Sequence, residues 1–253
     1  TLMRSSAASD VYKRQARGDM AVEVPFEEVP VVQKRFIKRC NEEGKLVITA
    51  TQMLESMTNN PLPTRAEVSD VANAIYDRTG CIMLSGETAM GDYPLECVKT
   101  MVKVAKSVEP TINYWKRFTK KDWKIEEADI ESHAAYTTCV TARDIKADAI
   151  IDYTHTGNSA RRLAGYGPAC PIFAITDSEK VYNQLGPVWN VYPILIKDGA
   201  DIDDTIEKGV EKLIELGNLE EGDTAVLCGG PQIMSKEKSK YAVNKTVGGI
   251  LKI

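Results

Sequence analysis

The feature that most constrains the fold is the alternation of short apolar runs with segments of amphipathic helical pattern. Runs such as KLVITA (45–50) and DAIIDYT (148–154) have the length and composition of buried strands. Each is followed by a longer segment whose apolar residues recur at helical spacing. This alternation predicts βα units with parallel sheets, so the predicted fold class is α/β.

Composition sets the class of protein. At 253 residues the chain can form one large or two ordinary domains, and 43% hydrophobic with 27% charged residues is typical of a soluble globular protein. A net charge of −4 gives no support to nucleic-acid binding. No apolar run approaches the roughly 20 residues needed to span a bilayer, and the N-terminus lacks a signal-peptide centre. The six cysteines form no CxxC pair, which favours reduced thiols in a cytosolic protein.

Small polar residues follow the apolar runs of the first part of the chain. Thr51 and Gln52 come directly after one predicted strand, and Ser85 and Glu87 come directly after the next. In parallel βα architectures, functional groups collect at the carboxyl ends of strands. The alternative is that these residues only cap the helices that follow.

A third cluster of this kind is ARGD, residues 16–19. The Gly18 amide could bind a ligand, and the Asp19 carboxylate could bind a hard cation such as Mg²⁺. Of residues 12–15, however, only Tyr12 has appreciable strand preference. The sequence therefore predicts no strand before ARGD, and an ordinary surface turn remains the alternative.

Three long motifs carry a resemblance to a known family: ARGDMAVEVPFEEVPVVQK, VITATQMLESM and NPLPTRAEVSDVANAIYDRTGCIMLSGETAMGDYP. They resemble pyruvate kinase, and the likeness extends from Ala16 through the second domain. It implies a partial (β/α)8 TIM barrel, represented by its last strands and helices, followed by a separate α/β C-terminal domain. The implied reaction is phosphoryl transfer from phosphoenolpyruvate to ADP, giving pyruvate and ATP, with Mg²⁺ and K⁺ as cofactors.

The resemblance also implies roles for individual residues. Asp19 resembles a metal-binding carboxylate that holds Mg²⁺, and Gly18 resembles the residue whose amide faces the substrate carboxylate. Thr51 resembles the hydroxyl that holds the substrate near its reacting carbon. Ser85 and Glu87 fall where the family is thought to relay a proton toward the enolate. The set is chemically coherent, because an enolate needs charge stabilisation and then protonation.

Three further residues are expected to act on structure. Arg17 is expected to orient its loop by pairing with a neighbouring acid. Arg65 and Glu67 open a helix, and we expect structural or subunit-contact roles for both.

The resemblance divides the chain into three segments: residues 1–15 outside the family, a barrel remnant at 16–118, and a C-terminal domain at 125–253. The family's phosphoryl-transfer lysine and most K⁺ ligands would lie in a part that this sequence lacks. We therefore expect a pyruvate kinase fragment that is inactive by itself. The alternative is a non-catalytic module for effector binding or subunit interaction.

In the second domain, hydroxyl and glycine residues precede a predicted helix and could form an anion site with its N–H groups. The candidate effector residues are Thr154, Thr156, Gly157, Asn158 and Ser159. A capped helix start without a ligand is the alternative. The resemblance implies a sugar-phosphate effector, but His155 and Asn158 stand where basic residues are common, so its identity is open. The resemblance further implies a cytoplasmic homotetramer at full length.

Overall fold

The computed structural model describes residues 12–127, 129–229, 242–244 and 250–253. Within these ranges, the side chains of residues 12–16, 18, 19, 21, 242–244 and 250–252 are not described. The chain forms two compact units, Thr1–Asn113 and Tyr114–Ile253, which are treated separately below.

The first unit is built on a parallel sheet of three described strands, β1 (Tyr12–Ala16), β2 (Leu46–Ala50) and β3 (Cys81–Met83), in the order β1-β2-β3. Its described helices are α1 (Arg17–Glu23), α2 (Val29–Glu42), α3 (Arg65–Tyr76), α4 (Gly86–Ala89) and α5 (Pro94–Val108), with 3₁₀ turns at Phe26–Glu28, Glu55–Thr58 and Glu109–Thr111. The order of elements is that of successive βα units, as the sequence predicts.

Strand β1 corrects one prediction. Residues 12–16 do form a strand, paired in parallel with Leu46–Ala50, although side-chain preference predicted none. The reason is that pairing with an adjacent strand satisfies backbone N–H and C=O groups whatever the side chains are, and this context overrides a weak strand preference. The ARGD motif therefore does follow a strand.

Helix α3 begins where the sequence predicts. The Thr64 hydroxyl accepts the N–H of Glu67 at 3.3 Å, and the Glu67 carboxylate accepts the N–H of Thr64 at 2.8 Å, which completes a capping box. The helix buries Val71 and Ala74 completely. They belong to a cluster that also contains Met53, Leu54, Met57, Cys97 and Met101, so α3 and α5 are packed against the segment that follows β2.

The second unit is a mixed sheet with helices on both faces. Its described strands are β4 (Ala149–Tyr153), β5 (Ile172–Thr176), β6 (Val191–Leu195), β7 (Thr224–Cys228), β8 (Ala242–Asn244) and β9 (Ile250–Lys252), in the order β6-β5-β4-β7-β9-β8. Strands β4 to β7 are parallel, and β9 is antiparallel to both β7 and β8. Its described helices are α6 (Tyr114–Lys120), α7 (Ile130–Asp144), α8 (Asn158–Tyr166), α9 (Glu179–Leu185) and α10 (Ile202–Glu215).

Each face of this sheet has its own apolar core. Ile150, Val226 and Ala174 lie in the core that includes α7 and α8, whereas Ile151 and Leu227 lie in the core that includes α10. Alternation along β4 and β7 explains this division, because successive side chains point to opposite faces.

The boundary between the units lies at Asn113–Tyr114, at the start of the aromatic and basic segment 114–124. Phe118 is 2% exposed and belongs to the core of the second unit, against which Trp115 and Trp123 also pack. The limit of 118 that we gave the barrel remnant therefore lies inside the second unit. Phe118 belongs to the second unit because its ring packs against the rings of Trp123, Tyr136 and Tyr166.

All six cysteines are free thiols, and five of them are buried, with Cys81 at intermediate exposure. None of the described helices is long and apolar enough to cross a membrane.

Candidate functional site

The candidate site in the first unit is set by the register of its three strands. Ala16 pairs with Ala50, and Ala50 pairs with Met83, so the last residues of β1, β2 and β3 form one row across the sheet. The three predicted clusters start immediately after this row. The residues predicted from the sequence therefore follow the carboxyl ends of the strands, at the same end of one sheet.

Arg17 directly follows β1 at this end of the sheet and is 8% exposed. Its Nε and Nη2 atoms donate to the carbonyl oxygen of Thr51 at 3.1 and 2.6 Å, and Nη2 also donates to the carbonyl of Gln52 at 2.9 Å. Its Nη1 atom forms an ion pair with Asp70 of α3. The structure thus shows Arg17 paired with an acid and holding the segment after β2, which is the orienting role predicted for it.

Thr51 has a backbone conformation that threonine rarely adopts. Its φ is 68° and that of Gln52 is 54°, so two consecutive residues without glycine lie in the left-handed region. The Thr51 hydroxyl accepts the N–H of Arg17 at 3.0 Å and donates to the carbonyl of Ala50 at 2.6 Å. Non-glycine residues in this region often mark functional segments, where surrounding contacts impose the conformation.

Glu87 is fully buried in the short helix α4. Its two carboxylate oxygens accept backbone N–H groups from two different loops, Leu54 at 3.1 Å and Ser85 at 2.7 Å. The carboxylate therefore joins the segment after β2 to the segment after β3. Burial of this carboxyl group is tolerated because both oxygens receive hydrogen bonds.

Gly18 and Asp19 lie in the first turn of α1, directly after Arg17. The side chain of Asp19 lies outside the described part, so its predicted metal contact has no geometry here. Among the residues that the structure describes, no group of three or more His, Cys, Asp and Glu side chains could hold a metal ion.

Glu67 has a second role that its sequence position does not reveal. Besides capping α3, its carboxylate accepts the N–H of Ser56 at 2.7 Å and the hydroxyls of Ser56 and Thr64. Burial would by itself raise the pKa of Glu67, but the hydrogen bonds from Ser56 and Thr64 outweigh it and the pKa is lowered. Glu67 thus connects α3 to the turn that follows β2.

In the second unit, Thr154, Thr156 and Gly157 lie in the loop between β4 and α8, and Asn158 and Ser159 are the first two residues of α8. Thr154 is buried, and its hydroxyl accepts the N–H of Gly157 at 2.9 Å, while the Thr156 hydroxyl accepts the N–H of Asn158 at 3.4 Å. Gly157 has a φ of 78°, and a Cβ atom there would lie 2.7 Å from Nη1 of Arg161. The positive φ favours glycine at this position, whereas the Arg161 side chain could move away from a Cβ atom.

This loop lies at the carboxyl end of β4, which has β5 on one side and β7 on the other. The chain runs from β4 to β5 and β6 on one side and later places β7 on the opposite side. Open α/β sheets bind ligands at such a reversal of strand order. The exposed His155 pairs with Asp177 of the loop after β5, with 2.8 Å between Nδ1 and Oδ1.

Two acidic residues with structural roles were missed from the sequence. Asp70 is the partner of Arg17, and the two are separated by 53 positions in the chain. Asp152 is fully buried in β4, and burial raises its pKa to about 7. A sequence signal was present only for Asp152, because it is the one ionisable acid in the apolar strand AIIDY.

Comparison with known proteins gives two family matches. Residues 7–98 match the family model described as the barrel domain of pyruvate kinase, and residues 132–241 match that of its alpha/beta domain. The first match begins before Ala16, so part of segment 1–15, which we had placed outside the family, lies inside the match.

Individual relatives agree with these matches. The chain is 47% identical over 215 residues to a pyruvate kinase of Clostridium acetobutylicum, covering 85% of this chain and 45% of the relative. It is 47% identical over 240 residues to a pyruvate kinase of Sporosarcina psychrophila, covering 93% of this chain and 40% of the relative. A crystal structure of a pyruvate kinase from Cryptosporidium parvum superposes with a TM-score of 0.80 at 35% identity, covering 88% of this chain and 46% of that one. The chain spans less than half the length of each.

Proposed function

The chain belongs to the pyruvate kinase family, and from this membership we propose that it contributes to phosphoryl transfer from phosphoenolpyruvate to ADP, giving pyruvate and ATP. One observation supports the proposal above the others. The aligned row Ala16, Ala50 and Met83 brings the segments that carry Gly18, Thr51 and Ser85 to the carboxyl end of the sheet. The reaction depends on positioning of the reactants and on charge stabilisation, which several segments at the same end of the sheet can supply together.

In this proposal some residues contact the substrate or the metal ion, and others hold those residues in position. The Gly18 amide and the Thr51 hydroxyl bind and orient the substrate, and Asp19 contributes one carboxylate to a Mg²⁺ site. Mg²⁺ supplies charge stabilisation to the phosphoryl group and the enolate, and K⁺ is the second cofactor. Ser85 is the proposed member of a proton path toward the enolate.

Glu87 was expected to share that proton path. Its complete burial and its two backbone hydrogen bonds support a different role, in which it holds the loop of Leu54 and the loop of Ser85 together. We propose that Glu87 acts on catalysis by positioning Ser85.

We further propose that the 253-residue polypeptide is inactive by itself. The chain spans less than half the length of the relatives that it matches, and phosphoryl transfer that lacks part of the groups for positioning and charge neutralisation should be slower by many orders of magnitude. A coupled assay with lactate dehydrogenase would detect pyruvate. Mg²⁺-dependent pyruvate formation by the isolated polypeptide would contradict this part of the proposal.

The test of the catalytic role is a chimera in which residues 16–253 replace the matching part of the Clostridium relative. We expect Mg²⁺-dependent pyruvate formation, and a loss of about 100-fold or more in kcat for Asp19→Ala, since a Mg²⁺ site loses ligand charge. Glu23→Ala is the matched control, because Glu23 is an exposed acid of the same helix α1. Equal activity of both variants would refute the metal role of Asp19.

The second candidate function is binding of a phosphorylated effector by Thr154, Thr156, Gly157, Asn158 and Ser159. The observation that favours it is the position of this loop at the reversal of strand order. Calorimetric titration of the isolated polypeptide with a sugar bisphosphate tests it independently of catalysis. We expect weaker binding in Thr156→Ala and unchanged binding in Thr141→Ala, an α7 variant; absence of binding to the unmodified chain would reject it. We also propose that the full-length protein is a cytoplasmic homotetramer.

A further inference from the structure

A buried acidic group lies directly below the loop between β4 and α8. Asp152 is 0% exposed. It lies opposite Ala174 of β5 and Cys228 of β7, so its strand has a parallel neighbour on each side. An ionised carboxylate in such a position loses its hydration and is unfavourable unless both oxygens are well hydrogen-bonded.

The hydrogen bonds of Asp152 are incomplete. Its Oδ2 atom accepts the hydroxyl of Ser159, in the first turn of α8, at 2.8 Å. Its Oδ1 atom is buried and accepts no well-formed hydrogen bond within the described part of the chain. The other group that stabilises the carboxylate is the Cys228 thiol, which is a weak donor.

The neighbouring groups do not supply a compensating charge. On β7, burial raises the pKa of the Cys228 thiol to about 12, so it stays neutral, and it interacts with the Thr138 hydroxyl of α7. On α8 the neighbouring group is the Ser159 hydroxyl, and on β5 it is Ala174. Of the arginines of α8, Arg161 donates through Nη2 to the carbonyl of Thr156, while its buried Nη1 atom has no hydrogen-bond partner within the described part of the chain, and Arg162 pairs with Asp129. Among the described residues, no cation contacts Asp152.

We propose that Asp152 is a proton-dependent lock, which in its neutral form holds the first turn of α8 and the loop 154–157 against β4 and in its ionised form loosens them. The route to solvent explains why loosening occurs there. Ser159 is partly exposed and His155 and Thr156 are exposed, so movement of this segment is the shortest way to hydrate the charge.

The pH range follows from the direction of the shift. Burial raises the pKa of Asp152 from an ordinary 3.8 to about 7. The folded state therefore holds the proton over a range in which the unfolded chain has lost it. This stabilisation is complete below about pH 4 and is lost as the pH rises toward 7.

All three tryptophans, Trp115, Trp123 and Trp189, lie in the second unit, so their fluorescence reports on its unfolding in the full chain. We expect the unfolding equilibrium constant of the unmodified chain, relative to Asp152→Asn, to rise about tenfold per pH unit between pH 5 and 7. The isosteric amide removes the charge and keeps the shape. Parallel pH profiles for the two proteins would overturn the proposal.

Ser159→Ala separates the lock from a general packing effect. The Ser159 hydrogen bond lowers the pKa of Asp152, so its removal should move the transition to higher pH. A uniform loss of stability at every pH would indicate a structural role only. The pKa itself can be measured without unfolding, by the carboxyl ¹³C shift of labelled aspartate, and a midpoint near 7 should be absent from Asp152→Asn.

Amide hydrogen exchange of peptides covering 154–166 tests where the loosening occurs. At pH 8 we expect faster exchange in the unmodified chain than in Asp152→Asn, and equal exchange at pH 5.5. Equal ratios at both pH values, or a change confined to other segments, would contradict the localisation.

Discussion

Arg17 donates hydrogen bonds to two different groups of Thr51: the backbone N–H of Arg17 donates to the Thr51 hydroxyl, and the Arg17 guanidinium donates to the Thr51 carbonyl. The guanidinium also contacts the carbonyl of Gln52. Residues in the left-handed region persist only when surrounding contacts impose that conformation. Arg17 is thus the principal support of the strained pair Thr51 and Gln52.

The first prediction concerns Arg17→Lys. Lysine keeps the positive charge but cannot contact Asp70 and the carbonyls of Thr51 and Gln52 at once. We expect a loss of about 2 kcal/mol in the free energy of unfolding of the first unit, less than for a fully buried pair because the Asp70 side chain is 35% exposed. Thermal unfolding followed by circular dichroism would measure it.

The control for that substitution is Arg39→Lys. Arg39 pairs with Glu43 on the surface of α2, with side-chain exposures of 64% and 48%. Exposed pairs contribute about 0 to 1 kcal/mol, so this variant should differ little from the unmodified chain. Equal effects of the two substitutions would contradict the supporting role of Arg17.

The second prediction concerns Glu87→Gln. The glutamine side chain has an NH₂ donor in place of one of the two acceptor oxygens of Glu87. This NH₂ group would face the N–H of either Leu54 or Ser85 and leave a buried donor unsatisfied. We expect a loss of about 2 kcal/mol or more in the free energy of unfolding. Glu96→Gln, at an exposed position of α5, should be neutral. A Glu87→Gln variant of unchanged stability would favour a role in proton transfer instead.

The third prediction concerns the pH dependence that Glu67 produces. Its pKa is lowered in the folded state, so its contribution is present above the ordinary value of 4.5 and is lost as the pH falls through the folded pKa. We expect Glu67→Gln to lose about 1 kcal/mol at pH 7, the usual contribution of a helix cap. The difference from the unmodified chain should shrink below about pH 4, as unfolding curves at pH 7 and 3.5 would show. The same difference in unfolding free energy at both pH values would mean that the charge of the Glu67 carboxylate does not contribute to stability.

The fourth prediction concerns limited proteolysis. Within the described part of the first unit, β1 and β3 are the edges of an open three-stranded sheet, whereas the second unit has two apolar cores on a larger sheet. We expect early cleavage before Tyr114 and a resistant product that begins near it, identified by mass spectrometry. A more resistant first unit would mean either that its edge strands are covered by association with another chain or that the boundary at Tyr114 is wrong.

Much of the local structure could be predicted from the sequence. Segments of amphipathic pattern form helices, as predicted, and Arg65 and Glu67 lie in the first turn of α3, as predicted. These features depend on residues three or four positions apart, so the signal is contained within one short segment. The clusters after β2 and β3 were likewise visible, because polar residues interrupt the apolar pattern there.

The arrangement of the site depended on contacts between distant segments. Strand β1 forms because it pairs with β2, in spite of its side chains, and Arg17 is held by Asp70 from 53 positions away. Glu87 receives its second hydrogen bond from Leu54, 33 positions earlier. No local pattern encodes such partners.

The sequence alone determined the two α/β segments, the start of helix α3 and the resemblance to a family, because periodicity, capping residues and long motifs are properties of contiguous residues. Tertiary structure decided that residues 12–16 are a strand, that Glu87 joins two loops, and that Asp152 is buried with an incomplete set of hydrogen bonds. The physical reason is that burial and hydrogen-bond completion depend on which segments pack against a group, and the order of residues does not specify those neighbours.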